Sequence, residues 1–231
     1  MIGTQLKSYK PEELLGPLND VEAHYAPREL FVSGDISLLS NGRPRVAIIG
    51  TRHPSDKGAK GAEKLTKFLV KHEVIIISGL AEGIDTIVHC AAIDNGGRTI
   101  VVLGTSLEEV YPRKNRSLQN EIMQKHLAIS QFPLGRPIQR MNFPLRNRTM
   151  ALIADASVIV EAGQTSGTLS QGWETLRLGK PLFIYKSVCE NDALSWPRKM
   201  IEYGATSLST TDQILDILPV RCSPSELYVA F

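Results

Sequence analysis

Six short apolar runs, rich in β-branched residues, recur along the chain. They are VAII (46–49), VIII (74–77), TIVVL (99–103), LAIS (127–130), SVIV (157–160) and LFI (182–184). Each is too short for a helix. Each is also too continuous for a strand with one wet face, which would alternate apolar and polar residues. Runs of this kind are strands buried on both faces, as parallel sheets require. Between the first two, Ala62, Leu65, Phe68, Leu69 and His72 form one stripe, while Lys60, Lys64, Lys67 and Lys71 lie elsewhere. That is the pattern of a surface helix packed on one side. Ser55 and Asp56 supply its N-cap. The alternation implies an open, doubly wound, mostly parallel α/β sheet over roughly 45–210.

The flanks differ from this core. Residues 1–44 carry Pro11, Pro17 and Pro27, with one short helix expected over Pro11–His24 and a short extended piece at Leu30-Phe31-Val32. This segment reads as an N-terminal appendage, partly packed on a domain spanning 45–218. Residues 219–231 read as a tail. At 231 residues, 42% hydrophobic and 22% charged, the chain can bury a full core. A net charge of +2 points to no partner by itself. Three scattered cysteines and five unclustered histidines argue against a disulfide framework and a zinc site. The N-terminus has no signal-peptide core and no apolar run reaches membrane-spanning length, so the expected compartment is the cytoplasm, with no membrane partner.

In an open α/β sheet, ligands bind beyond the carboxyl ends of the strands, so the loops that follow each run matter most. After the first comes GTRHPS (50–55). Gly50 permits a tight turn, the start of the helix presents amides to an anion, and Arg52 adds a planar cation suited to phosphate. The spacing is not GxGxxG, so a dinucleotide fingerprint is absent. After the second comes SGLAEGID (78–85), where Asp85 and His89 share a helix face. A metal or acid–base pair is one reading; a hydrogen-bonded pair that fixes the loop is the better one. After the third comes GTSLEEVYPRKNR (104–116), a charged turn carrying Tyr111. After the fifth comes EAGQTSGTLSQGWE (161–174), another small-residue loop, with Trp173 expected in the core.

The fourth loop is the most informative. QFPLGRPIQRMNFPLRNR (131–148) holds Arg136, Arg140, Arg146 and Arg148 with no acidic residue, and interleaves Phe132 and Phe143. Arginine with interleaved aromatics is the footprint of nucleic-acid binding: cations hold phosphates and rings stack on bases. The bland alternative is that Phe143 and Pro144 staple the start of a helix over 145–154. One ring can do both. If this segment and GTRHPS form two walls of one groove, Arg52 and Arg146 must lie close in space.

Taken in order, GTRHPS, SGLAEGIDTIVHCAAIDNGGRTIVVLG, YPRKN, FPLRNRTMALIADASVIVEAGQTSGT and LGKPLF resemble the DNA-processing protein DprA family, also called Smf, from about Leu30 to Leu208. The resemblance implies an extended Rossmann-like fold that binds and protects single-stranded DNA without sequence preference. It implies a homodimer that helps load the RecA recombinase during natural transformation, with no cofactor and no catalysis. Carried over by motif, the DNA-binding residues are Gly50, Thr51, Arg52 and Ser55; Ser78, Gly79, Gly83 and Asp85; and Arg140, Phe143, Arg146, Asn147 and Arg148. Ser166 and Gly167 of the small-residue loop join them as candidate phosphate-binding residues. Many members add a helical N-terminal domain and a C-terminal winged-helix-like domain. Here at most a remnant of the first is seen. Many also carry a Pro-Gly pair after the last core strand, where this chain reads LFIYKSVCEN.

Two other functions suit the same fold. One is suggested by a resemblance to the lysine-decarboxylase-like phosphoribohydrolases, whose PGGxGTxxE signature implies a catalytic glutamate where this chain, reading AGQTSGTLSQ, has Gln171, with Glu174 three residues on. A glutamine cannot act as a carboxylate base, which argues against it. The other is sensing of a small nucleotide.

Overall fold

The computed structural model describes residues 7–218, so the expected tail lies outside the described residues. The six apolar runs become β3 (Arg45–Gly50), β4 (Ile75–Ser78), β5 (Thr99–Leu103), β6 (Leu127–Ser130), β7 (Ala156–Glu161) and β8 (Leu182–Tyr185). Three shorter strands complete the sheet among the described residues: β1 (Lys7–Tyr9), β2 (Leu30–Gly34) and β9 (Thr206–Leu208). The order across the sheet is β1-β2-β6-β5-β4-β3-β7-β8-β9. Pairing is parallel from β6 to β9, while β2 joins β6, and β1 joins β2, antiparallel.

The central strands bury both faces, and their side chains alternate accordingly. Val46 and Ile48 of β3 face α3 (Asp56–Lys71) and α4 (Ile84–Asp94), through Leu65, Leu69, Ile84 and Val88. Ala47 and Ile49 face the other side, packed with Met150 and Ile153 of α6 (Asn142–Ile153). Burying one such Ile or Leu is worth about 1.5–3 kcal/mol, so this two-sided filling fixes the strand register. α5 (Arg116–Lys125) covers β5 and β6 through Ile122. α7 (Thr168–Arg177) leads from β7 to β8. Beyond β8 lie α8 (Lys186–Cys189), α9 (Trp196–Glu202) and α10 (Asp212–Leu215).

The N-terminal segment departs from expectation. Instead of one helix over 11–24 there are two, α1 (Pro11–Leu15) and α2 (Asp20–Tyr25). Gly16 and Pro17 break the helix, and Asn19 restarts it, its side chain accepting from the Glu22 amide at 2.9 Å. The segment is also continuous with the core. β2 pairs with β6 over Phe31↔Ser130 to Gly34↔Leu127, and Tyr25 and Leu18 pack on Ala151, Leu152 and Leu178.

The sheet fixes where a ligand can sit. From β3 the chain builds outward through β4, β5 and β6 on one side. It then returns by α6 to lay β7 on the other side of β3 and continues to β8 and β9. Strand order therefore reverses between β3 and β7, and their carboxyl ends diverge into a crevice.

Candidate functional site

A cavity of about 400 Å³ opens at this reversal. Gly50, Thr51 and Arg52 of the β3 turn form one side. Gly163, Thr165, Ser166, Gly167 and Thr168, leading into α7, form a second. The third is a single face of α6: Phe143, Arg146, Asn147 and Met150. Those positions are i, i+3, i+4 and i+7, one stripe of a helix. α6 starts at Asn142, three residues before the expected start, so Phe143 is already in its first turn. Arg52 and Arg146 line the same cavity, and Arg52 is near enough to depress the Arg146 pKa. The two walls face each other.

Arg146 is buried and heavily tied. Its Nη1 donates to the carbonyls of Gly79 at 2.6 Å and Val102 at 2.9 Å, and its Nε donates to Asn147 Oδ1 at 3.1 Å. Asn147 in turn donates to the Gly167 carbonyl at 3.4 Å, which joins α6 to the α7 loop. Nη2 makes no hydrogen bond among the described residues. Asp85 is the charge partner: burial raises its carboxyl above the ordinary range, and the Arg146 guanidinium opposes that rise. Burial lowers Arg146, and Asp85 opposes that in the same way. The pair compensates itself. Arg52 differs: it is exposed, and its guanidinium makes no hydrogen bond or ion pair among the described residues.

Two glycines make this packing possible. A Cβ on Gly79 would lie 1.7 Å from Arg146 Nη1, so only glycine lets the guanidinium reach the backbone there. Gly83 has φ of +76°, and a Cβ on it would come within 2.4 Å of the Thr51 carbonyl. It lets the loop after β4 lie flat against the loop after β3, where Ile84 N donates to Thr51 O at 3.2 Å.

Several expected contacts are located elsewhere. The start of α3 was expected to meet a ligand anion. It meets the chain's own Glu161 instead, whose carboxylate accepts from Ser55 Oγ at 2.9 Å and Ser55 N at 3.2 Å. Ser55 also caps α3 by accepting from Gly58 N at 3.0 Å, and it lines a neighbouring cavity of about 580 Å³ rather than the crevice. Ser78 is fully buried and donates to the Ile48 carbonyl at 2.7 Å, a tie between strands. Arg148 lies about 200° round α6 from Arg146. It turns to Glu174 at 3.4 Å and to the Tyr25 ring at 5.0 Å, away from the crevice. Arg140 is exposed, in the loop before α6, outside the cavity lining. Phe132 is core, 2% exposed, with Arg136 over its ring at 5.1 Å.

Asp85 and His89 share a face of α4 but are not hydrogen-bonded to each other. Asp85 accepts from the Ala81 amide at 3.2 Å, while His89 Nδ1 pairs with Thr99 Oγ1 at 2.7 Å. Burial holds His89 neutral, its pKa lowered to about 3. Among the described residues no three His, Cys, Asp or Glu side chains gather as metal ligands. Nor is any helix long and apolar enough to cross a membrane. Gln171 lines the crevice, its amide bridging the Asn147 carbonyl and the Ala151 amide. Glu174 does not line it, being paired with Arg148 and Arg177. Residues that sequence reading left unassigned also line it: Ala81, Met150 and Thr165. Met150 could have been found from its i+7 spacing to Phe143.

The profile of the family described as DNA recombination-mediator protein A matches residues 8–219. The chain belongs to that family. The DNA processing protein DprA of Bacillus subtilis is 33% identical over 195 residues, covering 84% of this chain and 65% of that protein. Its counterpart in Streptococcus pneumoniae is 36% identical over 194 residues, covering 84% and 68%. Protein Smf of Escherichia coli is 32% identical over 193 residues, covering 83% and 51%. The chain thus spans about half to two thirds of the length of these relatives. The crystal structure of the Streptococcus pneumoniae protein superposes with a TM-score of 0.79 at 32% identity, covering 94% of this chain and 75% of that one. A structure of the Helicobacter pylori protein, described for its single-stranded DNA binding mode, gives 0.77 at 27% identity, covering 92% and 94%. The molybdenum cofactor binding protein of Rippkaea orientalis, at 17% identity and 0.54, shares the fold alone.

Proposed function

We propose that this chain binds single-stranded DNA in the β3/β7 crevice without sequence preference and acts as a recombination mediator. One observation carries the reading: the free cation at the crevice. Asp85 and Arg146 compensate each other, and Arg52 stands beside them with no protein partner among the described residues. A phosphate meets Arg52 on one side and the small-residue loop at the start of α7 on the other. Phe143 offers a ring to a base. Arg146 then acts as a positioning residue, holding the loop after β4 where it lines the cavity. The single-stranded DNA binding named for the Helicobacter pylori relative supports the ligand class.

We further propose that a homodimer in the cytoplasm delivers the bound strand to a RecA-like recombinase, without chemistry on the DNA; the family description supports recombination mediation itself. Fluorescence anisotropy with labelled oligo-dT and oligo-dA tests the binding step. Two or three phosphate contacts weaken affinity roughly tenfold between about 50 and 200 mM salt. A Kd that stays constant across the titration refutes the reading. Gel shifts with single- and double-stranded oligomers, with and without RecA, test delivery.

A further inference from the structure

A second, smaller cavity of about 190 Å³ adjoins the crevice, and Phe143 and Arg146 line both. Its far wall is Tyr111, from the loop after β5. The Tyr111 and Phe143 rings are 5.5 Å apart between centroids and inclined at 50°. Neither is sealed in the core: Tyr111 is 43% exposed and Phe143 is half-buried. Phe143 is also seated close to the main chain, since a Cβ on Gly104 would lie 2.7 Å from its ring. Two aromatic rings thus bound a small cavity that exposed Arg52 also lines.

The loop that carries Tyr111 is tied down. Buried Asn115 donates to the Leu80 carbonyl and to Thr86 Oγ1, both at 2.9 Å. Buried Gln119 donates to the carbonyls of Leu107 and Glu109 at 3.2 Å. Lys114 pairs with Glu82 at 3.0 Å. The Asn115 and Lys114 bonds fix the loop to the segment after β4 and the Gln119 bonds tie it to α5, so the aromatic wall is in place before any ligand arrives.

We propose that this cavity is a second nucleobase subsite, in which one unpaired base lies against Tyr111. The adjoining phosphate sits at Arg52, and the next nucleotide enters the larger crevice on the other side of Phe143. The proposal rests on the DNA reading above and adds the path of the strand. It also gives a physical basis for excluding duplex: a paired, stacked base has neither face nor edge free to enter the slot.

The experiment compares oligo-dT with the same oligomer carrying a run of abasic sites, on wild type and Tyr111→Ala. Losing one stacked base weakens binding roughly 5- to 150-fold. Tyr111→Ala should therefore lose affinity for oligo-dT by that factor while keeping the wild-type salt slope, because no phosphate contact is removed. Tyr111→Phe, which keeps the ring, should recover most of the loss. Abasic DNA should discriminate little between the wild type and Tyr111→Ala. The slot is overturned if Tyr111→Ala binds oligo-dT as tightly as wild type, or if it loses as much on abasic DNA. Arg52→Ala separates the two proposals. If wild type binds with a salt slope that Arg52→Ala lowers and Tyr111→Ala leaves affinity intact, only the slot fails. If wild type shows no salt-dependent binding, the DNA reading fails first.

Discussion

Removing the Arg146 guanidinium should be costly for folding, and the size of the cost follows from its partners. Arg146→Ala leaves Asp85 buried without its cation, and it strips the Gly79 and Val102 carbonyls of a charged donor. Deleting one member of a buried pair costs about 3–5 kcal/mol, mostly through the charge left behind. The crevice is open, so water can reach part of the vacated space and keep the loss toward the lower figure. Even so, that is a large share of a typical domain's 5–15 kcal/mol. Urea denaturation of wild type, Arg146→Ala, Asp85→Asn and the double variant measures it. The double variant should be less destabilised than the sum of the singles by about 1–3 kcal/mol, the coupling of the pair. A pH series supplies the sign. Burial already holds the folded Asp85 pKa above the unfolded value against the pull of Arg146 and the hydrogen bonds at Ala81, Ser78 and Gly79; without Arg146 it rises further. Protonation then favours the folded state. The Arg146→Ala deficit should be greatest at neutral pH and shrink as pH falls through that raised pKa. A deficit under about 1 kcal/mol, an additive cycle, or a deficit that grows on acidification each refutes the assignment of Arg146 as the counter-charge of Asp85.

Gly79→Ala puts a methyl where the guanidinium sits, so it should reproduce much of the Arg146→Ala loss and weaken oligo-dT binding; a wild-type melting temperature would contradict that close approach. Ser55→Ala removes a helix cap that also holds Glu161, and should cost about 1 kcal/mol in denaturation with oligo-dT affinity unchanged; a specific loss of DNA affinity would return Ser55 to the site. His89 has a folded pKa of about 3, against roughly 6.5 unfolded. The folded state binds fewer protons, so its contribution is complete above about pH 6.5 and is lost at roughly 1.4 kcal/mol per unit as pH drops toward 3. His89→Gln should flatten that acid slope in a pH series of chemical melts, and an unchanged slope would place the titration elsewhere.

What the sequence made legible, and what it hid, follows from how far each signal reaches along the chain. Strands buried on both faces announce themselves by continuous apolar runs, and all six became β3 to β8 within a residue or two. The strands that escaped are β1 and β9, three residues each, the first largely exposed and too short to carry a period. At the site, the glycines and Arg52 were legible because a turn that precedes a helix constrains its residue types locally. The arginines of FPLRNR were separable by helix spacing: both fall inside the expected helix over 145–154, where two residues already put them about 200° apart. The motif resemblance assigned both to the ligand, whereas Arg148 turns to Glu174 and Tyr25. Starting the helix at Asn142 adds Phe143 to the stripe of Arg146 and Met150. The pairing of Glu161 with Ser55 spans 106 residues and leaves only an indirect trace, Gly58 in the first turn of α3, where a helix interior gains about 1 kcal/mol from alanine instead. A Cβ at that position would lie 1.7 Å from the Glu161 carboxylate. A glycine held against its helix propensity therefore marks a close approach by a distant residue. Gly104, in the bend after β5, marks a close approach of another kind, by the Phe143 ring, and leads from the crevice to the slot at Tyr111.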